Sequence, residues 1–175
     1  GSLANPIVSS RLLSRIARAH GLEHHTTLTG FKWIARAPGL GFGYEEAIGF
    51  CPDPAHVRDK DGIATSVVAA SLAAVLKAQG RSVWDELERL ARLHGLHVSS
   101  PLTFRVEEIE QIASGMARLR AQPPSVLAGS PVVEVSDLSQ GYRGLPPTDG
   151  VLVLTEAGDR VIARTSGTEP KAKRY

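Results

Sequence analysis

Between Asp61 and Gly95 the sequence spells out two helices placed back to back, each with its own start and stop signals. No other feature constrains the fold as much. The first, "GIATSVVAASLAAVLKAQG", follows Asp61, whose carboxylate can accept from the free N–H groups of a first turn and complement the helix dipole; Gly80 ends it. The second, "SVWDELERLARLHG", offers Ser82 as cap, Glu86 near the reciprocal capping position and Gly95 as terminator. Strand-like segments come before them. "HHTTLTGF" is short and β-branched and runs into a turn at Gly30; "LGFGYEEAIGF" is aromatic and punctuated by glycine. Earlier still, apolar positions 12, 13, 16 and 19 predict an amphipathic helix over residues 7–20, with Ser9 or Ser10 to cap it and Gly21 just beyond. This alternation predicts an α/β layer architecture.

After Gly95 the texture changes. "LHVSSPLTFRV" alternates like a strand, "EEIEQIASGMARLRA" has helical periodicity, and "SPVVEVSD", "GVLVLTEAGDRVIARTS" and "KAKRY" read as strands around turns, with Ala157-Gly158-Asp159 as a hairpin connection. A small α+β domain is therefore expected to begin near residue 96. The 175 residues carry a formal net charge of +2 and no block of like charges, so nothing points to nucleic acid. A single cysteine, Cys51, excludes an intrachain disulfide and a CxxC metal site, and fits a reducing, cytoplasmic setting. The longest apolar run reaches Lys77 after about fourteen residues, too short for a bilayer, and no signal peptide is visible. The leading Gly-Ser is taken as a cloning remnant.

Four stretches carry candidate chemistry. In "RTSGTEP", Gly167 allows close approach of a ligand, Ser166, Thr168 and successive N–H groups can line one concavity, and Arg164, Lys171 and Lys173 supply positive charge. That suits a phosphate, although a decorated surface turn has the same composition. "GYEEAIGF" sets Glu45 and Glu46 at a strand end, where a carboxylate can accept from sugar hydroxyls, act as a base, or simply be solvated. "HVRDKDG" fails the calcium-loop pattern at Val57, and better suits an anion site or a plain cap at the helix start, with Arg58 and Lys60 just ahead of it. His24 and His25 are adjacent on a predicted strand and would face opposite ways, so no metal site is expected there. The GxSxG, GxGxxG and Walker patterns are absent.

Taken together, "TGFKWI" (29–34), "GYEEAIGF" (43–50), "RDKDGI" (58–63) and "RTSGTEPK" (164–171) resemble, in order and spacing, the α-D-phosphohexomutase superfamily of phosphoglucomutases and phosphomannomutases. The resemblance implies the C-terminal part of a four-domain isomerase. Residues 3–95 would be a three-layer α/β sugar-binding domain, the third of the family, lacking its N-terminal part. Residues 96–175 would be the small α+β phosphate-binding fourth domain without its last helix. By the same resemblance Glu45, Lys32 and Lys60 contact the sugar, and Arg164, Ser166, Gly167, Thr168 and Lys171 hold the non-reacting phosphate. Ala47 stands where the family has a serine. The family's phosphoserine loop and the loop that holds Mg²⁺ are not in this sequence, so no catalytic residue and no metal ligand are expected here. The intact enzyme would use Mg²⁺ and a hexose bisphosphate intermediate. Expected partners are a small sugar phosphate and the missing N-terminal domains, with no nucleic acid and no membrane. The competing expectation is a non-catalytic module that binds sugar phosphates or other anions.

Overall fold

Strand β1 (Ser2–Pro6) organises the first half of the molecule, because it has neighbours on both sides. The computed structural model describes residues 1–46, 49–105, 109–165 and 171–174, in two compact units, Gly1–Val98 and Ser99–Tyr175. "SLANP" lacks the apolar alternation that announces a strand. Its polar side chains tolerate burial because each finds a partner. Ser2 Oγ donates to the Pro38 carbonyl at 2.6 Å, and Asn5 Nδ2 donates to the Ser10 carbonyl at 3.1 Å and the Tyr44 hydroxyl at 3.2 Å. Ser2 is thus part of the sheet. The helix expected over 7–20 is shortened to α1 (Leu12–Ala19), with Ser10 Oγ accepting from the Leu12 N–H at 3.1 Å.

Helix α1 connects β1 to its parallel neighbour β2 (Glu23–Thr27), and β3 (Leu40–Glu45) runs parallel to β1 on the other side. Between them lies the single turn of α2 (Phe31–Ile34), and β4 (Gly49–Cys51) folds back antiparallel on β3, giving the order β2-β1-β3-β4. Ala4, Phe31, Ile34 and Cys51 form a buried cluster on this sheet, with Ala37 and Leu40 against it.

The two capped helices are present as α3 (Gly62–Ala78) and α4 (Val83–His94), set at 90° to one another. Asp61 Oδ1 accepts from the Ala64 N–H at 2.9 Å. At the second cap the reciprocal partner is Asp85 and not Glu86, because Asp85 is the third residue past the cap; it accepts from the Ser82 N–H at 2.6 Å. Glu86 instead meets Arg81 and Arg89. Helix α3 is apolar almost all round, yet Leu76 is its one buried residue, and Ile63 is 83% exposed. Among the described residues no single helix is long and apolar enough to cross a membrane.

Among the described residues the second unit is an antiparallel sheet with one α-helix and a short 3-10 turn at Leu138–Gln140. Its strands are β5 (Leu102–Arg105), β6 (Val126–Leu127), β7 (Ser130–Asp137), β8 (Gly150–Thr155), β9 (Arg160–Thr165) and β10 (Lys171–Arg174), in the order β5-β10-β9-β8-β7-β6. Helix α5 (Ile109–Ala121) buries Ile112 and Met116 against Val151 and Val153 of β8. The turn between β8 and β9 closes as expected, with the Asp159 N–H donating to Thr155 Oγ1 at 2.9 Å. The strand expected from residue 96 begins only at Leu102, after Pro101, while Leu96 and Val98 are exposed.

Candidate functional site

Glu45 is the last residue of β3, and its side chain is 7% exposed. A carboxylate buried that far must be paired or hydrogen-bonded. Both oxygens are engaged: Lys60 Nζ lies 3.0 Å from Oε1, and the Gly30 N–H donates to Oε2 at 3.1 Å. Gly30 presents that N–H from a backbone with φ of 111°, just before the first turn of α2.

Lys60 reaches the carboxylate from the segment ahead of α3. The Asp61 N–H donates to the Phe50 carbonyl at 2.9 Å, which ties that segment to β4. The ammonium also lies 4.8 Å from the centroid of the Phe31 ring and 3.9 Å from Asp59 Oδ1. Gly49 completes the arrangement by having no side chain. A Cβ there would stand 2.9 Å from Phe31 Cε2 and 3.0 Å from both Glu45 Cγ and Lys60 Cε.

Three of the four stretches singled out in the sequence therefore meet at one carboxylate: "TGFKWI" through Gly30 and Phe31, "GYEEAIGF" through Glu45 and Gly49, and "RDKDGI" through Lys60. Lys32 is on α2 but exposed, its Nζ 5.9 Å from the Trp33 ring, and it makes no ion pair with any described carboxylate. Reasoning from the sequence missed Gly30, Phe31 and Gly49, although the Gly-Phe pairs at 30–31 and 49–50 were the available signal.

In the second unit Arg164 sits on β9, half-buried and opposite Gly150. The strand end is anchored one residue further on, where Thr165 Oγ1 donates to Asp149 Oδ2 at 2.9 Å, and Asp149 also pairs with Arg120 of α5. Ser166, Gly167 and Thr168 lie outside the described residues, as does Ala47; Lys171 opens β10. His24 and His25 are engaged separately. His24 Nε2 is 2.8 Å from Asn5 Oδ1, while His25 lies 3.8 Å from Glu23.

Cys51, at the end of β4, donates its thiol hydrogen to the Val57 carbonyl at 3.2 Å. Burial, and after it the charges of Asp53, Asp59 and Asp61, pushes the thiol's pKa up, so it is no nucleophile.

The first unit is thus an α/β domain with a mixed four-stranded sheet, in which a lysine from the segment ahead of α3 meets a buried carboxylate at the end of β3. Residues 1–93 match the family described as "Phosphoglucomutase/phosphomannomutase, alpha/beta/alpha domain III", and the chain belongs to that family. It is 41% identical over its whole length to a Haemophilus influenzae protein named "Probable phosphomannomutase", covering 36% of that protein. It is 32% identical to a Mus musculus phosphopentomutase, over 96% of this chain and 31% of the relative. The fold also resembles the open form of pp63/parafusin, a phosphoglucomutase from Paramecium, with a TM-score of 0.70 at 19% identity over 99% of this chain and 32% of that one. The chain thus spans about a third of the length of these relatives.

Proposed function

We propose that this chain is the C-terminal part of a phosphohexomutase that interconverts hexose 1-phosphate and hexose 6-phosphate. Glu45, Lys60 and Lys32 face the sugar; Arg164, Ser166, Gly167, Thr168 and Lys171 hold the phosphate that does not react. Residues 3–95 form the sugar-binding domain and 96–175 the phosphate-binding one. The observation that carries this reading is the Glu45 carboxylate. Each of its oxygens is engaged once, by Lys60 or by the Gly30 N–H, which leaves acceptor capacity on both for sugar hydroxyls.

Phosphoryl transfer depends on positioning and charge stabilisation more than on covalent work by the protein, and binding of a remote phosphate can be used to align the reacting end. Glu45 then orients the ring and Arg164 anchors the far end. The phosphoserine and Mg²⁺ come from the rest of the polypeptide, and a hexose bisphosphate is the intermediate. Among the described residues no three His, Cys, Asp or Glu side chains stand together as a metal site, so no step through the metal is assigned to this chain. The relatives act, by name, on mannose, glucose and pentose phosphates, and Ala47 in the sugar loop is the residue through which that choice would differ from the serine-bearing family pattern.

The rest of the polypeptide is also the partner for α3, whose apolar side chains, Leu76 apart, are largely exposed among the described residues. Calorimetric titration with glucose 1-phosphate, mannose 1-phosphate and inorganic phosphate tests the binding roles. Binding at least about tenfold weaker in Arg164→Ala is expected, with no turnover by the chain alone. Indifference of the unaltered chain to all three ligands overturns the proposal.

A further inference from the structure

Helix α1 carries a charge pattern that the sugar site does not use. Residues 1–22 contain no Asp or Glu, yet Arg11, Arg15 and Arg18 fall there at spacings of four and three, which sets them on one face of the helix. Helix α4 answers its arginines within the same helix, Arg89 with Glu86 and Arg92 with Glu88. Arg15 and Arg18 make no ion pair with any described carboxylate, and both are exposed.

These arginines form one wall of a groove of about 620 Å³, with Ser14 between them. Its far side is built by the turn into β2, where Gly21, Leu22 and His24 stand. The volume suits a small molecule. His24 is a fixed part of that side. Asn5 spends its amide N–H groups on Ser10 and Tyr44, so its Oδ1 must accept from the His24 Nε2–H. Burial, and after it the neighbouring His25, lowers the His24 pKa, so at neutral pH the groove's charge is that of its arginines.

We propose that the α1 groove is a binding site for a small phosphorylated molecule carrying at least two negative charges. Guanidinium groups match phosphate oxygens in paired hydrogen bonds, and those of Arg15 and Arg18, exposed side by side with no ion pair to a described carboxylate, suit an anion that bridges them. The Ser14 hydroxyl supplies a further donor, and Leu22 gives an apolar wall for the non-phosphate part of the ligand.

The test uses sodium pyrophosphate as probe and the 175-residue chain in an Arg164→Ala background, which silences the phosphate loop proposed above. Calorimetry is expected to show binding that persists in Arg164→Ala and weakens at least about tenfold in Arg164→Ala/Arg15→Ala/Arg18→Ala. The amide resonances of Gly21, Leu22 and His24 should shift on titration. Both arginines are exposed and alanine is a good helix former, so the fold is expected to survive; circular dichroism checks it. Equal affinity with and without the two arginines, or unmoved Gly21–His24 resonances, overturns the groove as a site. Loss of all pyrophosphate binding in Arg164→Ala alone also overturns it, while leaving the loop reading intact.

Discussion

Lys60 Nζ lies 3.0 Å from Glu45 Oε1, and the two partners sit in different surroundings: the Glu45 side chain is 7% exposed, that of Lys60 42%. The pair is therefore asymmetric. Removing the lysine strands a buried carboxylate with only the Gly30 N–H, whereas removing the carboxylate's charge frees a lysine that water can solvate. Breaking a fully buried pair costs about 3–5 kcal/mol. Solvent at the Lys60 end reduces that, so Lys60→Met is expected to cost about 1–2 kcal/mol and Glu45→Gln less. Chemical denaturation of the two variants and their double measures this. An equal or reversed order would mean that Lys60 does not stabilise the buried carboxylate.

Gly49 supports the same contact by leaving room for it. A methyl group would press on Phe31 Cε2, Glu45 Cγ and Lys60 Cε together, two of them groups that are held in place. Overpacking of this kind costs about 1–3 kcal/mol. Gly49→Ala should lower the unfolding free energy by that amount and weaken sugar-phosphate binding in parallel. Unchanged stability would show that the lysine swings aside freely.

What the sequence made legible was local. Asp61, Ser82 and Gly95 announce helix ends because capping is a matter of a few neighbouring atoms, and the caps at Asp61 and Ser82 are formed. Strand β1 was not legible, since Ser2 and Asn5 are buried only by virtue of Pro38, Ser10 and Tyr44, partners that the fold supplies. The meeting of Gly30, Glu45, Gly49 and Lys60 was equally invisible as geometry. The resemblance to a known family named Glu45 and Lys60, but not the glycine that lets them touch. The exposed apolar surface of α3 reads in the sequence as a core helix, because composition records hydrophobicity and not whether a cover is present.

Cys51 is expected to be inert in the folded chain. Its thiol is fully buried, donates to Val57, and is disfavoured as a thiolate first by burial and then by three aspartates. Ellman's reagent at pH 8 should titrate one thiol in denaturant and react about a hundredfold or more slowly without it, at a rate set by opening of the sheet. Prompt reaction under native conditions would contradict the buried position of β4.

Glu86 makes α4 acid-sensitive. Hydrogen bonds from Arg89 and then Arg81 hold its pKa down to about 2, below the ordinary carboxylate value of 4.5. A group depressed in the folded state contributes stability that is complete above the unfolded pKa and is lost as pH falls toward the folded one. The contribution should therefore fade between about pH 4.5 and 2, and shrink with added salt because the group is at the surface. Thermal unfolding of the unaltered chain against Glu86→Gln over that range checks it. The difference between the two should vanish at the acid end, and a difference that grows there would reverse the assignment.

Helix α3 should make the 175-residue chain self-associate. Val68, Leu72 and Val75 recur at spacings of four and three, forming one stripe that is about half exposed along its length, and Val67 and Ile63 widen it. Water-exposed stripes of this kind mark surfaces that another chain segment covers. For the 175-residue chain by itself, the nearest cover is the α3 of a second copy. Sedimentation velocity should show a concentration-dependent shift to dimers or larger species. Val68→Glu/Leu72→Lys should restore the monomer without loss of helicity, since neither residue is buried and the new charges pair at i,i+4. In a longer polypeptide of the kind proposed above, the same stripe should be protected from solvent, and the same two substitutions should then weaken that docking. A chain that stays monomeric at high concentration, with α3 still helical, would remove the case that α3 is a covered face.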